Sequence, residues 1–321
     1  MLQKIAGLIG QAWRGKAGRA GPDIALSPPT DPLRDKVMRS RDTILTVPFS
    51  SKQFRVEGSE TDISVFGPIA ESGGIWEPHI MKLMASLVRP GDTCFDIGAN
   101  IGVHSIVFSE LVGDSGQVYS FEPSSVSSTF LQRNVKNNEL ANVKCFQIGF
   151  GRTSSRPQFT HFVNIGGCSF VNPEGDVSEV IRTAWNAELE TITETVQIES
   201  FDTWCAGQKI KRIDVLKLDA EGSEIAVIEG GLQFIRLFKP AMIVELNVNT
   251  ISIYYKESPV TFFELLASIY NYIYVIDEGE DIQLSRVTSF AELESRLAVP
   301  NHWWVDLLCL AQPYNSGNHV L

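Results

Sequence analysis

From Thr93 to Gly102 the chain reads Thr-Cys-Phe-Asp-Ile-Gly-Ala-Asn-Ile-Gly. Thr93 to Ile97 predicts a short buried strand running straight into a turn that carries Gly98 and Gly102. Val103 to Leu111 predicts a helix that stops at Gly113. Strand, glycine turn and helix in that order open a nucleotide-binding βαβ unit, which commits the chain to parallel strands joined by crossover helices. Gly98 lets the backbone approach a ligand, and Gly102 lets helix and strand pack closely.

The spacing bears on which nucleotide. A dinucleotide turn has the form G-x-G-x-x-G and seats a pyrophosphate on backbone N–H groups and a helix N-terminus. Here the turn is Gly-Ala-Asn-Ile-Gly and the strand tip carries Asp96, a carboxylate that would repel two phosphates. S-adenosylmethionine has no phosphate and offers two cations, an ammonium and a sulfonium. The turn therefore reads as an S-adenosylmethionine site, with Asp96, Gly98, Ala99, Asn100 and Gly102 as its residues. A dinucleotide is the alternative.

A chain of 321 residues holds one large α/β domain with additions, or two small ones, and 44% hydrophobic residues support a full core. The net charge of -11 and the lack of a basic stripe beyond the first twenty residues disfavour nucleic acid as a partner. Five cysteines without a C-x-x-C pair give neither a zinc site nor a disulfide framework. Cys94, Cys145 and Cys309 fall in apolar runs, where cysteine acts as a small hydrophobe. A reducing cytoplasm is the expected compartment.

Residues 1–22 stand apart. Leu2, Ile5, Leu8, Ile9, Ala12 and Trp13 recur at helical spacing among Lys4, Arg14, Lys16 and Arg19. This is either a basic amphipathic helix resting on a membrane surface or partner protein through residues 1–20, or a disordered extension. Residues 23–74 predict a proline-rich linker and a small β-meander, with strands at 43–49, 53–56 and 61–66. Residues 75–312 predict the main domain and 313–321 a tail. Within the domain, a helix is expected at 77–87, strands at 117–121 and 143–148, and a helix at 126–137. Residues 151–190 form an irregular insertion, with a flexible turn at 166–169 and a helical stretch at 176–189. It reads as a substrate lid or a packing excursion. Further strands are expected at 195–199, 215–218, 241–246, 272–276 and 306–311. Helices are expected at 202–204, 222–229, 261–270 and, from the capping box Ser289-Phe-Ala-Glu292, just after Ser289. Alternating strands and helices give a doubly wound, mostly parallel sheet with a reversal at the last strand.

In such a sheet the ligand lies beyond the C-terminal ends of the strands. Asp96, Glu122, Asp219 and Glu245 each sit at or near a strand end, so four acids converge. Glu122 suits the two hydroxyls of a ribose. Gln147 and Ile148, ending the third strand, mark the adenine position. Lys217 lies inside a strand, and period-two geometry puts it on the same face as Asp219. An ion pair is expected, either tuning Asp219 as a base or holding strand to helix. Glu221 and His104 are further candidate bases, and Glu224 reads as a helix-start acid. A metal-free site is expected, with a divalent cation on Asp219, Glu221 and Glu245 as the alternative.

Asp96-Ile-Gly-Ala-Asn-Ile-Gly102, Phe121-Glu-Pro123, Lys217-Leu-Asp-Ala-Glu-Gly-Ser-Glu224, Val244-Glu-Leu246 and Trp76-Glu-Pro78 together resemble the FkbM family of S-adenosylmethionine-dependent methyltransferases. The resemblance covers roughly residues 75–310. It implies the Rossmann-like class I methyltransferase fold and cofactor roles for Asp96, Gly98, Asn100 and Glu122. It also implies methyl transfer to a hydroxyl of a small-molecule, sugar or glycan acceptor. Asp219 is then the first candidate base, supported by Lys217, with Glu221, Glu245 and His104 behind it. A dinucleotide oxidoreductase and a non-catalytic S-adenosylmethionine-binding protein are the alternatives.

Overall fold

The computed structural model describes residues 31–171, 190–279, 281–297 and 303–315. Its strands are β1 Ser40–Leu45, β2 Phe54–Ser59, β3 Thr93–Ile97, β4 Gln117–Phe121, β5 Val143–Phe146, β6 Gly149–Gly151, β7 Gln158–Phe162, β8 Phe170–Val171, β9 Thr191–Thr195, β10 Ile198–Ser200, β11 Val215–Leu218, β12 Ala241–Asn247, β13 Tyr272–Asp277, β14 Gln283–Val287 and β15 Trp304–Leu310. Its α-helices are α1 Pro32–Val37, α2 Phe66–Glu71, α3 Pro78–Leu87, α4 Val103–Val112, α5 Ser125–Asn137, α6 Phe201–Gly207, α7 Glu224–Gly230, α8 Leu232–Phe238, α9 Pro259–Ala267 and α10 Phe290–Leu297.

The central sheet has the order β14-β13-β15-β12-β11-β3-β4-β5. Strands β5, β4, β3, β11 and β12 run parallel, and β15 enters antiparallel between β12 and β13. Alternation along the strands sends side chains to two cores. Phe95, Ile97, Phe121, Leu216 and Leu218 face α6 to α9, while Cys94, Val118 and Val215 face α3 to α5. The order reverses beside β3, whose neighbours β4 and β11 lie on opposite sides. That reversal opens the crevice where ligands bind in such sheets. This is the doubly wound, Rossmann-like architecture of class I methyltransferases, with the expected reversal at β15.

Most differences from the sequence reading are local. Residues 61–66 form no strand. The Asp62 carboxylate accepts the N–H groups of Ser64 at 2.9 Å and Phe66 at 2.9 Å and winds the chain into α2 instead. The meander is thus a two-stranded antiparallel pair, β1 and β2. Strand β5 stops at Phe146, and Gly149–Gly151 leaves it to pair in parallel with β10. The strand expected at 195–199 is split between β9 and β10. Helix α8 and edge strand β14 were not foreseen. The described part of the insertion is ordered, β7 pairing antiparallel with β8 and β9, with one turn of 3-10 helix at Gly166–Cys168. The helix expected at 176–189 and the amphipathic segment 1–20 lie outside the described residues. Among the described residues no helix is long and apolar enough to cross a membrane.

One buried amide ties this scaffold to the glycine turn. Asn134 on α5 donates from Nδ2 to the carbonyls of Ile101 at 2.8 Å and Glu57 at 2.9 Å, and its Oδ1 accepts the Glu57 N–H at 2.7 Å. Asn134→Ala leaves these groups without partners and should lower unfolding free energy by on the order of 2–4 kcal/mol in urea titrations.

Candidate active site

The crevice at the strand reversal encloses about 400 Å³. Its floor is the turn Ile97 to Ile101 and the loop Asp219 to Glu221. Glu122, Pro123, Gly149 and Phe150 form one side, Glu245, Asn247, Trp303 and Trp304 another, and Trp76, Glu77 and His104 close one end. Phe159 and the stretch Gly166 to Val171 make a wall from the insertion.

The turn is shaped by two close approaches. Gly98 has φ +82, and a Cβ there would sit 1.7 Å from the Asp219 carbonyl oxygen, so a side chain is excluded on both counts. Gly102 has φ +92 and would meet Leu131 of α5 at 2.6 Å. It serves packing and does not line the crevice. The N–H groups of Gly98 and Ala99 both donate to the Phe121 carbonyl, at 3.0 and 2.9 Å, which locks the turn to the tip of β4.

Glu122 follows that tip. Its Oε2 accepts the Asn100 N–H at 3.0 Å and its Oε1 the Ser124 N–H at 2.8 Å. Burial pushes its carboxyl up to about 7 despite these bonds, with Glu194 and Asp96 adding repulsion. The two N–H groups fix the carboxylate at the crevice wall.

Across the turn, Lys217 is buried in β11 and its Nζ lies 2.8 Å from Asp219 Oδ2. The expected ion pair is present. Burial disfavours the ammonium, but Asp219, Glu77 and Asp96 outweigh it and hold Lys217 well above its ordinary value. Glu221 and Glu245 are pushed the other way. Burial first, then the charge of Asp219, raises both carboxyls well above the usual range. Asp306, facing Glu245 in the β12–β15 register, is raised to about 8 by burial and the charge of Glu77. Among the described residues no three His, Cys, Asp or Glu side chains come together as metal ligands.

Four site expectations change. Asp96 does not line the crevice. Its side chain shares a sheet face with Cys94, opposite Phe95 and Ile97, and is wholly buried, with Oδ2 accepting the Ser105 hydroxyl at 2.6 Å and Oδ1 unpartnered. Gly102 packs behind the turn. Gln147 is exposed and neither it nor Ile148 reaches the crevice, because β5 ends earlier; Gly149 and Phe150 hold that position. Glu224 stands in the first turn of α7 as expected, and its Oε1 also accepts the N–H groups of Ala220 at 2.7 Å and Gly222 at 3.2 Å. Gly98, Ala99, Asn100, Glu122, His104, Lys217, Asp219, Glu221 and Glu245 do line one cavity. Glu77 was missed, although Trp76-Glu77-Pro78 was the signal for it.

The sheet order and the crevice at its reversal define a class I methyltransferase. The chain belongs to the FkbM family: the model of the methyltransferase FkbM domain matches residues 96–275. Methyltransferase sdnD of Sordaria araneosa is 29% identical over 153 residues, covering 42% of this chain and 58% of that protein. The 2-O-methyltransferase NoeI of Sinorhizobium fredii is 26% identical over 156 residues, covering 47% and 61%. The hexuronic acid methyltransferase AglP of Haloferax volcanii is 26% identical over 158 residues, covering 48% and 56%. The chain thus spans less than two thirds of each of these relatives. The family's cofactor, S-adenosylmethionine, fits the crevice. The turn is bare at Gly98, the fixed Glu122 carboxylate stands beside it, and four further carboxylates line the cavity.

A Glu122 that takes the ribose hydroxyls must do so in its charged form, and cofactor affinity should then fall roughly tenfold as pH drops from 8 to 6 through its value near 7. Glu122→Gln should flatten that dependence in calorimetric titrations. Stability runs the other way. Glu122 and Glu224, both near 7, and Asp306, near 8, are raised above their unfolded values. Their contribution is present at low pH and lost as pH rises through those values. His161, lowered to about 4 by burial, opposes this only below its unfolded value of 6.5. The unliganded protein's Tm should therefore fall by at least ~2 °C between pH 6.5 and 8.5.

Proposed function

We propose that the chain is an S-adenosylmethionine-dependent O-methyltransferase acting on a hydroxyl of a sugar, glycan or natural-product acceptor. The observation that carries this reading is the Lys217–Asp219 pair, a carboxylate held at 2.8 Å by a buried ammonium beside the cofactor turn. The names of NoeI and AglP, an O-methyltransferase and a hexuronic acid methyltransferase, support oxygen and a sugar as the acceptor class.

The cofactor supplies an electrophilic methyl on a sulfonium. The protein's task is to align the acceptor oxygen with that methyl, keep water out and take one proton. Asp219 accepts the proton of the attacking hydroxyl, and Lys217 holds the carboxylate in place. Glu221 and Glu245, both raised well above the ordinary carboxylate range by burial and the charge of Asp219, line the crevice as partners for acceptor oxygens. Trp303 and Trp304 on one side and Phe170 on the insertion wall offer flat apolar surfaces for the C–H faces of a sugar ring. A cytoplasmic setting, with membrane or protein contact through residues 1–20, belongs to the same reading.

Asp219→Asn keeps the shape and removes the base. It should cut turnover ~10²–10⁴-fold while cofactor affinity, read by calorimetry, stays within about threefold. The assay is transfer of a labelled methyl group to a panel of glycan and lipid-linked sugar acceptors. Unchanged turnover would remove Asp219 from the role.

A further inference from the structure

With Asp96 turned away from the crevice, another group has to meet the cofactor's positive charge. Five carboxylates line the cavity among the described residues: Glu77, Glu122, Asp219, Glu221 and Glu245. Glu122 is committed to the Asn100 and Ser124 amides on the ribose side. Asp219 is neutralised by Lys217. Glu221 and Glu245 stand among other acids, and burial and the charge of Asp219 raise both well above the ordinary range. Glu77 is left.

Whereas Glu122 follows β4 on one side of β3, Glu77 sits against His104 in the first turn of α4 and within electrostatic reach of Lys217 in β11 on the other. Its Oε2 lies 3.1 Å from Nε2 of His104, an atom otherwise buried without a hydrogen-bond partner of good geometry, and 34% of its side chain stays exposed. Burial would raise the carboxyl, but His104's hydrogen bond and charge, then Lys217 and His79, bring it down to about 2. It is therefore an anion at every pH of interest. Its backbone adopts φ 37 and ψ 57 immediately before Pro78. A proline disfavours any helical conformation in the residue ahead of it, and a left-handed one is costly for a side chain with a Cβ. The fold maintains this strained residue at the cavity wall, a pattern that accompanies function.

We propose that Glu77 is the carboxylate that holds the ammonium of the cofactor's amino-acid end, with His104 fixing its orientation. A cofactor anchored by its ribose at Glu122 and laid across Gly98 to Asn100 directs its tail toward this end of the cavity. An ammonium donor and a permanently charged carboxylate form the stronger, charge-assisted kind of hydrogen bond. The inference rests on the methyl-donor reading of the crevice.

The test is calorimetry on the full chain with three probes: S-adenosylmethionine, S-adenosylhomocysteine and 5′-methylthioadenosine. The last keeps the adenine, ribose and sulfur but has no ammonium or carboxylate. Glu77→Gln should weaken the first two by at least ~10-fold and leave the third within about twofold. Equal loss for the two tailed ligands assigns the ammonium, since only one of them carries a sulfonium. Glu77→Asp, which draws the charge back by one methylene, should give the same tail-specific pattern at smaller amplitude, so the test stands even if the amide variant does not fold. Unchanged affinity for S-adenosylhomocysteine overturns the assignment. So does an equal loss for 5′-methylthioadenosine, which would mean that Glu77 only shapes the turn. If the wild-type chain takes up neither tailed ligand, the methyl-donor reading itself falls.

Discussion

A lysine ammonium in the middle of a parallel sheet is an expensive thing to bury, and the acidic end of this molecule is arranged around one. Lys217 sits in β11 with Asp96 beside it in the register of β3, Asp219 two residues further along its own strand, and Glu77 facing it from the start of α3. Remove the cation and three carboxylates are left facing one another in a site with little water, a state that costs far more than the pair contributes. With it in place, the loop Asp219 to Glu221 is pinned. That loop's first carbonyl is the surface against which the bare Cα of Gly98 packs. The floor of the crevice therefore depends on a charge buried in the sheet beneath it.

Environment divides the acids around Lys217. Glu77, with His104 against it, is lowered to about 2, while burial raises Glu221, Glu245 and Asp306 above the ordinary carboxylate range against the pull of the cation on Glu221 and Asp306. Carboxyl groups of one chemical type are thus pushed in opposite directions at one end of the sheet. Separation of like groups by environment is how a site assembles complementary roles from a single side chain.

The strand–turn–helix at Thr93 to Val112 and the strand at 215–218 were legible because their composition admits one reading: apolar runs closed by glycine or aspartate. Glu122, Lys217 and Asp219 followed from period-two geometry and strand ends. Asp96 stands one residue inside the tip of β3, wholly buried, with its carboxylate on the Ser105 hydroxyl of α4 and not at the cavity wall. Treating the strand tip as the cavity mouth obscured that. Gln147 and Ile148 were misplaced because nothing local announces that the backbone leaves β5 to pair with β10. Such pairing is decided by residues some fifty positions away. Glu77 was hidden for another reason. Its importance lies in a backbone angle and a contact with His104, neither of which a linear pattern shows.

The insertion leaves and re-enters the domain at a single place. Strands β6 and β10, its two ends, lie side by side in parallel with Gly149 opposite Ile198 and Gly151 opposite Ser200. An excursion closed at its base like this can grow, shrink or be exchanged without shifting the strands that carry Glu122 and Asp219. The wall that this excursion adds to the crevice is thus mechanically separable from the turn at Gly98.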